Sequence, residues 1–161
     1  YGYQGAKPAA TMDESFPDVM NYVENHYKVA KDKAHRAICG LSMGGGHSFD
    51  ISRRFPTKFD YIGLFSAGLH VSTTGDFRND FYKQLQGNEE AKAQLATLFK
   101  NKPKLYWIGM GKTDFLYKSS ADLRRYFDEK GYKYTYMETE GGHIWRNWRV
   151  YLTEFAQKIF K

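Results

Sequence analysis

Gly40-Leu41-Ser42-Met43-Gly44 is a G-x-S-x-G run, and the serine at its centre is the residue of this sequence best suited to covalent chemistry. An apolar run from Ala37 to Leu41 leads into it, and a helical pattern from Gly44 to Phe55, stopped by Pro56, follows. A serine in so tight a strand-to-helix turn is held in a strained backbone conformation, and a side chain at either flanking glycine is expected to clash. The turn lifts the Ser42 hydroxyl clear of a sheet. It also sets the Met43 N–H at a helix N-terminus, where it can stabilise an oxyanion. Glycine-rich turns match this pattern often, so the strand–turn–helix setting carries the inference, with a purely structural turn as the alternative.

A serine hydroxyl at its ordinary pKa is a poor nucleophile and needs a base to take its proton. In folds with this elbow the chain order is serine, acid, histidine. His143 stands in Gly141-Gly142-His143, between the last strand-like run and the last helical one. Its two glycines let the loop swing the imidazole over the strand ends, and a histidine capping the final helix is the alternative. His26, His35 and His47 lie in less suitable contexts: His35 precedes the first strand, and His47 is one turn into the elbow helix. His70 follows the second strand and is a candidate to line a substrate pocket. The acid is expected in the loop Gly111-Lys112-Thr113-Asp114, where Asp114 would orient His143 and stabilise its imidazolium. An Asp114 that merely caps the next turn is the alternative, and Asp76 is the rival acid. Glu138 and Glu140 are too close to His143 along the chain to turn back on it.

These residues require a scaffold of alternating elements. Strands are expected over 37–41, 61–66, 104–110 and 132–138, each bounded by Gly, Pro or charged residues. Between them lie helical patterns over 12–27, with Thr11 as cap and Glu14 at the capping-box position, and over 44–55, 89–99 and 120–130. Gly131 sits where a helix-ending glycine belongs. A last helix over 144–160 carries Trp145, Trp148, Tyr151, Leu152 and Phe155 near i, i+3, i+4 spacing. Strands alternating with helices imply right-handed crossovers and a parallel α/β sheet. Four strands are few for such a sheet, which is normally buried on both faces and flanked by others.

The 161 residues suffice for one domain and are 42% hydrophobic and 26% charged, a globular rather than a disordered composition. No apolar run approaches the roughly 18 residues of a membrane span. The net charge of +6 comes from 24 Lys and Arg scattered among 18 acids, without the basic block that nucleic-acid binding requires. Cys39 is the only cysteine, so no internal disulfide can form. The chain opens on Tyr1 rather than Met, so the absence of a leader carries no information on location. Aromatic residues make up 17% of the chain, which suits a protein that handles planar rings or sugars and equally a Tyr-rich core.

Four stretches together resemble the first carbohydrate esterase family, the esterase D-like group of feruloyl and acetylxylan esterases. They are Gly40-Leu41-Ser42-Met43-Gly44-Gly45, Phe65-Ser66-Ala67-Gly68, Asp114-Phe115-Leu116-Tyr117 and the run from Gly142 to Arg149. The resemblance runs from about residue 12 to the C-terminus, and the His143-x-Trp145-x-x-Trp148 run is its most specific part. It implies an α/β-hydrolase fold with Ser42 as nucleophile, Asp114 as orienting acid, His143 as base and Met43 as an oxyanion N–H donor. It also implies hydrolysis of esters on plant cell-wall polysaccharides through an acyl-enzyme, with no metal or organic cofactor. Secretion, or export to the periplasm, is implied in turn because such substrates lie outside the cell. Trp145 and Trp148 are expected in the core rather than as substrate platforms.

Members of that family carry a further hundred or so residues upstream, holding the first half of the sheet and the second oxyanion donor. The expectation is therefore the C-terminal half of an α/β-hydrolase fold: a single, partial catalytic domain over 1–161. Its first strand would be open to association, and its activity alone would be weak or absent. Feruloyl and related aryl esters are the first substrate reading, with acetylxylan close behind. Another α/β hydrolase, and a non-catalytic fragment that binds carbohydrate or assembles through its edge, remain as alternatives.

Overall fold

The computed structural model describes residues 11–71 and 80–161. Helix α1 (Met12–His26) opens on the expected capping box: the Glu14 N–H donates to the Thr11 hydroxyl, and the Thr11 N–H donates to the Glu14 carboxylate at 2.9 Å. A 3-10 turn (Lys33–His35) leads into β1 (Ala37–Leu41), followed by α2 (Met43–Arg54) and β2 (Tyr61–Phe65). Then come α3 (Phe81–Gln86), α4 (Glu89–Lys100), β3 (Leu105–Gly111), α5 (Tyr117–Lys130), β4 (Thr135–Thr139) and α6 (Trp145–Ala156).

The four strands form one sheet in the order β1-β2-β3-β4, and all neighbours are parallel. Side chains alternate across it with the two-residue period of a pleated strand. Ile62, Leu64, Tyr106 and Ile108 enter a core with Phe49 and Ile51 of α2, Leu95 and Leu98 of α4, and Leu123 and Phe127 of α5. Tyr61, Phe65 and Trp107 point the other way, against Tyr151 and Phe155 of α6. Both faces of β2 and β3 are thus covered, as a parallel sheet requires. The sequence expectation of a parallel sheet with flanking helices holds.

Among the differences from the expectation, three have identifiable reasons. Strand β4 starts at Thr135, not at Tyr132, because Tyr132 completes the end of α5. Gly131 takes the left-handed conformation (φ 68°), and the Tyr132 N–H donates back to the Phe127 carbonyl at 2.9 Å. Helix α3 has six residues, too few to show a period, and is set by Asp80, whose carboxylate caps the Lys83 N–H. The last helix stops at Ala156, and Phe160 packs edge-on against Tyr61 instead.

Candidate active site

Ser42 sits between β1 and α2 at φ 53°, ψ −117°, a strained region for a residue with a side chain. Its neighbours hold it there. The Ser42 N–H donates to the Phe65 carbonyl at the end of β2, and the Ser42 carbonyl accepts from Gly46 and Gly68. A Cβ at Gly40 would stand 2.2 Å from the Gly44 carbonyl oxygen, so the turn demands glycine there. Gly44 does not behave as expected: a Cβ on it would meet nothing within 4 Å. The close approaches fall one and two residues later, where Cβ atoms at Gly45 and Gly46 would meet Ala67 at 2.7 Å and the Gly68 oxygen at 2.3 Å. Those two glycines seat α2 against the segment that follows β2.

Ser42 occupies the N-cap position of α2 without capping it. Its hydroxyl lies instead 2.9 Å from Nε2 of His143. On the other side of that ring, Nδ1 of His143 is 2.9 Å from Oδ2 of Asp114, whose side chain is 0% exposed. The second Asp114 oxygen accepts from the Leu116 N–H at 2.9 Å. The Met43 N–H opens α2 and so has no carbonyl of its own helix to serve. Ser42, Asp114 and His143 come from three different strand ends and meet at the same end of the sheet.

The loop that carries His143 is locked by contacts absent from any motif. Gly141 has φ 84°, and its carbonyl accepts from the Thr113 N–H at 3.1 Å, which ties the histidine loop to the Asp114 loop. Buried Asn147 donates from its amide to the Glu140 and Gly142 carbonyls, each at 3.0 Å. Rings of Phe115 and Trp148 lie 4.7 and 4.9 Å from the imidazole. Glu138 and Glu140 turn away, to Tyr117 and Tyr136 in the first case and to Lys112 in the second. Trp148 is partly buried, whereas Trp145 is 67% exposed, so the expectation of two core tryptophans fails for Trp145. It stands edge-on to Trp148 in the groove beside β1, where no described element covers it.

A cavity of about 300 Å³ opens beside Ser42, lined by Met43, His47, Gly68, His70, Phe115 and Leu116. His70 thus lies where the sequence placed it. His47, passed over in the sequence, lies there too, held at 2.7 Å by Asp13 of α1. Only proximity in space could reveal that pair, since 34 positions separate them. Behind the wall, burial pushes the Asp50 carboxyl above the usual carboxylate range. The adjacent Arg53 opposes that shift and also reaches Gln94. Asp76, the rival acid, lies outside the described residues. Among the described residues no group of three or more His, Cys, Asp or Glu could hold a metal ion, and no helix is long and apolar enough to cross a membrane.

Comparison with known proteins bears on the family and the fold. An acetyl esterase of Caldicellulosiruptor saccharolyticus is 24% identical over 164 residues, spanning 89% of this chain and 61% of the relative. An endo-1,4-beta-xylanase/feruloyl esterase of Xylanibacter ruminicola is 29% identical over 154 residues, 93% of this chain and 17% of the relative. A solved ferulic acid esterase superposes with a TM-score of 0.68 at 25% identity, over 88% of this chain and 58% of its own. The chain therefore spans about three fifths of two of these relatives and less of the third. A family model described as "Putative esterase" matches residues 16–159, and the chain belongs to that esterase family, with an α/β-hydrolase fold.

Proposed function

We propose that this chain carries the reaction centre of a serine carboxylic-ester hydrolase that removes feruloyl or acetyl groups from plant cell-wall polysaccharides. One observation supports this reading above the others: the unbroken series Ser42 Oγ, His143 Nε2, His143 Nδ1 and Asp114 Oδ2, with 2.9 Å at each hydrogen-bonded step. In the proposed reaction the Ser42 oxygen attacks the ester carbonyl carbon while its proton passes to Nε2 of His143. Asp114 holds the Nδ1–H, keeping the correct tautomer and stabilising the imidazolium. The carbonyl oxygen takes up the negative charge and receives the Met43 N–H. As the tetrahedral intermediate collapses, the C–O bond to the sugar oxygen breaks, and His143 returns its proton to that oxygen. Water then attacks the acyl-serine by the same route in reverse roles, releasing the acid and restoring Ser42.

The aryl or acetyl ester choice draws on the relatives, whose names carry both feruloyl and acetyl esterase. Export from the cell accompanies a polymeric wall substrate. We further propose that the domain is one part of a larger sheet, with another strand paired along β1. Three features support this: β1 lacks an outer neighbour among the described residues, Trp145 and Leu152 stand exposed on the groove beside it, and Trp148 Nε1 is buried there without an acceptor.

The test is labelling by a fluorophosphonate probe, with Ser42→Ala and His143→Ala as controls. Labelling at Ser42 that is lost in both variants is the expected outcome. Absence of labelling in the 161-residue chain and also in a chain extended upstream to the length of its relatives would overturn the esterase reading.

A further inference from the structure

Beside Ser42 stands a second Asp–His pair for which the ester-cleavage steps have no use. His47 lines the Ser42 cavity together with His70, and its Nδ1 lies 2.7 Å from the Asp13 carboxylate of α1. The pair is well shielded, the Asp13 side chain being 13% exposed and that of His47 30%. A tether between α1 and α2 would account for the bond alone. It does not account for a ring on the cavity wall, and α1 already has a charged tie through Glu24 to Arg36 at 2.5 Å.

The position of His47 defines what it can recognise. It follows Met43 by four residues, so both lie on one face of α2, about 6 Å apart along the axis at 1.5 Å per residue. Apart from Ser42 and the two histidines, the lining is Met43, Gly68, Phe115 and Leu116, which are apolar or lack a side chain. An occupant with its carbonyl at Ser42 therefore needs an apolar body and a hydrogen-bonding group at the far end. Paired sugar hydroxyls call for amide or carboxylate side chains, and the described lining contains none. With the Nδ1–H given to Asp13, the other ring nitrogen, Nε2, is the one left to accept a hydrogen bond in the tautomer proposed here. That nitrogen accepts from a hydroxyl and has nothing to offer a methoxy oxygen.

We propose that His47, oriented by Asp13, is a specificity-determining residue that accepts a hydrogen bond from the ring hydroxyl of a hydroxycinnamoyl acyl group. Asp13 is then a positioning residue. The proposal rests on the ester-hydrolase reading only in placing the acyl carbonyl at Ser42.

The experiment measures binding rather than turnover, using the Ser42→Ala chain and calorimetric titration with three methyl esters: 4-hydroxycinnamate, 4-methoxycinnamate and cinnamate. The 4-hydroxy ester is expected to bind about tenfold more tightly than the other two, the effect of one net hydrogen bond. His47→Leu is expected to bring the 4-hydroxy ester to the affinity that cinnamate has in the same variant. Asp13→Ala, which frees the tautomer but keeps the ring, reduces the preference and leaves a folded protein by circular dichroism. Equal affinities for the three esters, a preference that survives His47→Leu, no binding of any ester, or displacement by xylobiose would each overturn the proposal. Fluorophosphonate labelling of the wild-type chain separates the two readings. A labelled chain without the preference retains the hydrolase reading alone, and an unlabelled chain with the preference retains the recognition by His47 alone.

Discussion

At the scale of single residues, the site is defined by what each polar atom is prevented from doing. The Ser42 hydroxyl sits at a helix N-cap, where serine ordinarily bonds the helix backbone, and it makes no such bond. Its strained backbone aims it at His143 instead. Asp114 has one oxygen engaged by the Leu116 N–H and the other by His143, so the carboxylate cannot rotate without breaking a buried contact. An Asp114→Asn variant keeps the shape but favours the wrong imidazole tautomer. Its expected effect is a fall of about 10⁴-fold in kcat on an aryl ester, with the melting temperature little changed. A fall below tenfold in steady-state assays would mean that Asp114 does not orient His143.

The elements show why the elbow is rich in glycine. Gly45 and Gly46 permit α2 to lie on the segment after β2, and that contact delivers the Gly68 N–H to the Ser42 carbonyl. Gly44 has open space around it and carries the usual entropic cost of glycine in a helix. The two positions should respond in opposite directions. Gly44→Ala is expected to leave stability unchanged or raise it by up to about 1 kcal/mol. Gly46→Ala should lower stability by roughly 1–3 kcal/mol, as overpacking does. Urea unfolding of the two variants decides this, and equal losses would refute the assignment of the close contacts. On the opposite face, α6 covers the sheet through Tyr151 and Phe155, both buried against Phe65 and Trp107. The same helix carries Asn147, which braces the His143 loop, so packing and site geometry are joined in one element.

For the molecule as a whole, the sheet is asymmetric in what surrounds it. The central strands β2 and β3 are covered on both faces, whereas β1 has a described neighbour on one side only. An edge with unpaired N–H and C=O groups is a template for another strand. If a further strand pairs there, amide hydrogen exchange in β1 is expected to be much faster than in β2 and β3 for the 161-residue chain. It should slow to their rates in a chain extended upstream by a segment that supplies that strand. Equal protection of β1 and β3 in the 161-residue chain would refute the pairing. Ser42 lies at the end of this same strand, so a firmer β1 is also expected to speed its reaction with the fluorophosphonate probe.

The parts of this protein legible from sequence are those with local causes. The capping box of Thr11 and Glu14, the left-handed Gly131, and the limits of β1 each follow from residues a few positions apart. Ser42, Asp114 and His143 were nameable because a serine elbow and loops after strands mark their positions, though only the fold brings the three to hydrogen-bonding distance. The rest depends on distance in space. No spacing rule links Asp13 to His47, and nothing around Gly44 separates it from Gly45 and Gly46, whose constraint comes from Ala67 and Gly68 across the turn. Trp145 has the helical spacing of a core residue and yet is exposed, because it stands in the groove beside β1, which has no described neighbour on its outer side. Sequence determines the local conformations and the chemistry available, since both arise from neighbouring bonds. The tertiary structure decides which of those groups meet, because that requires the sheet to bring together residues that the chain keeps far apart.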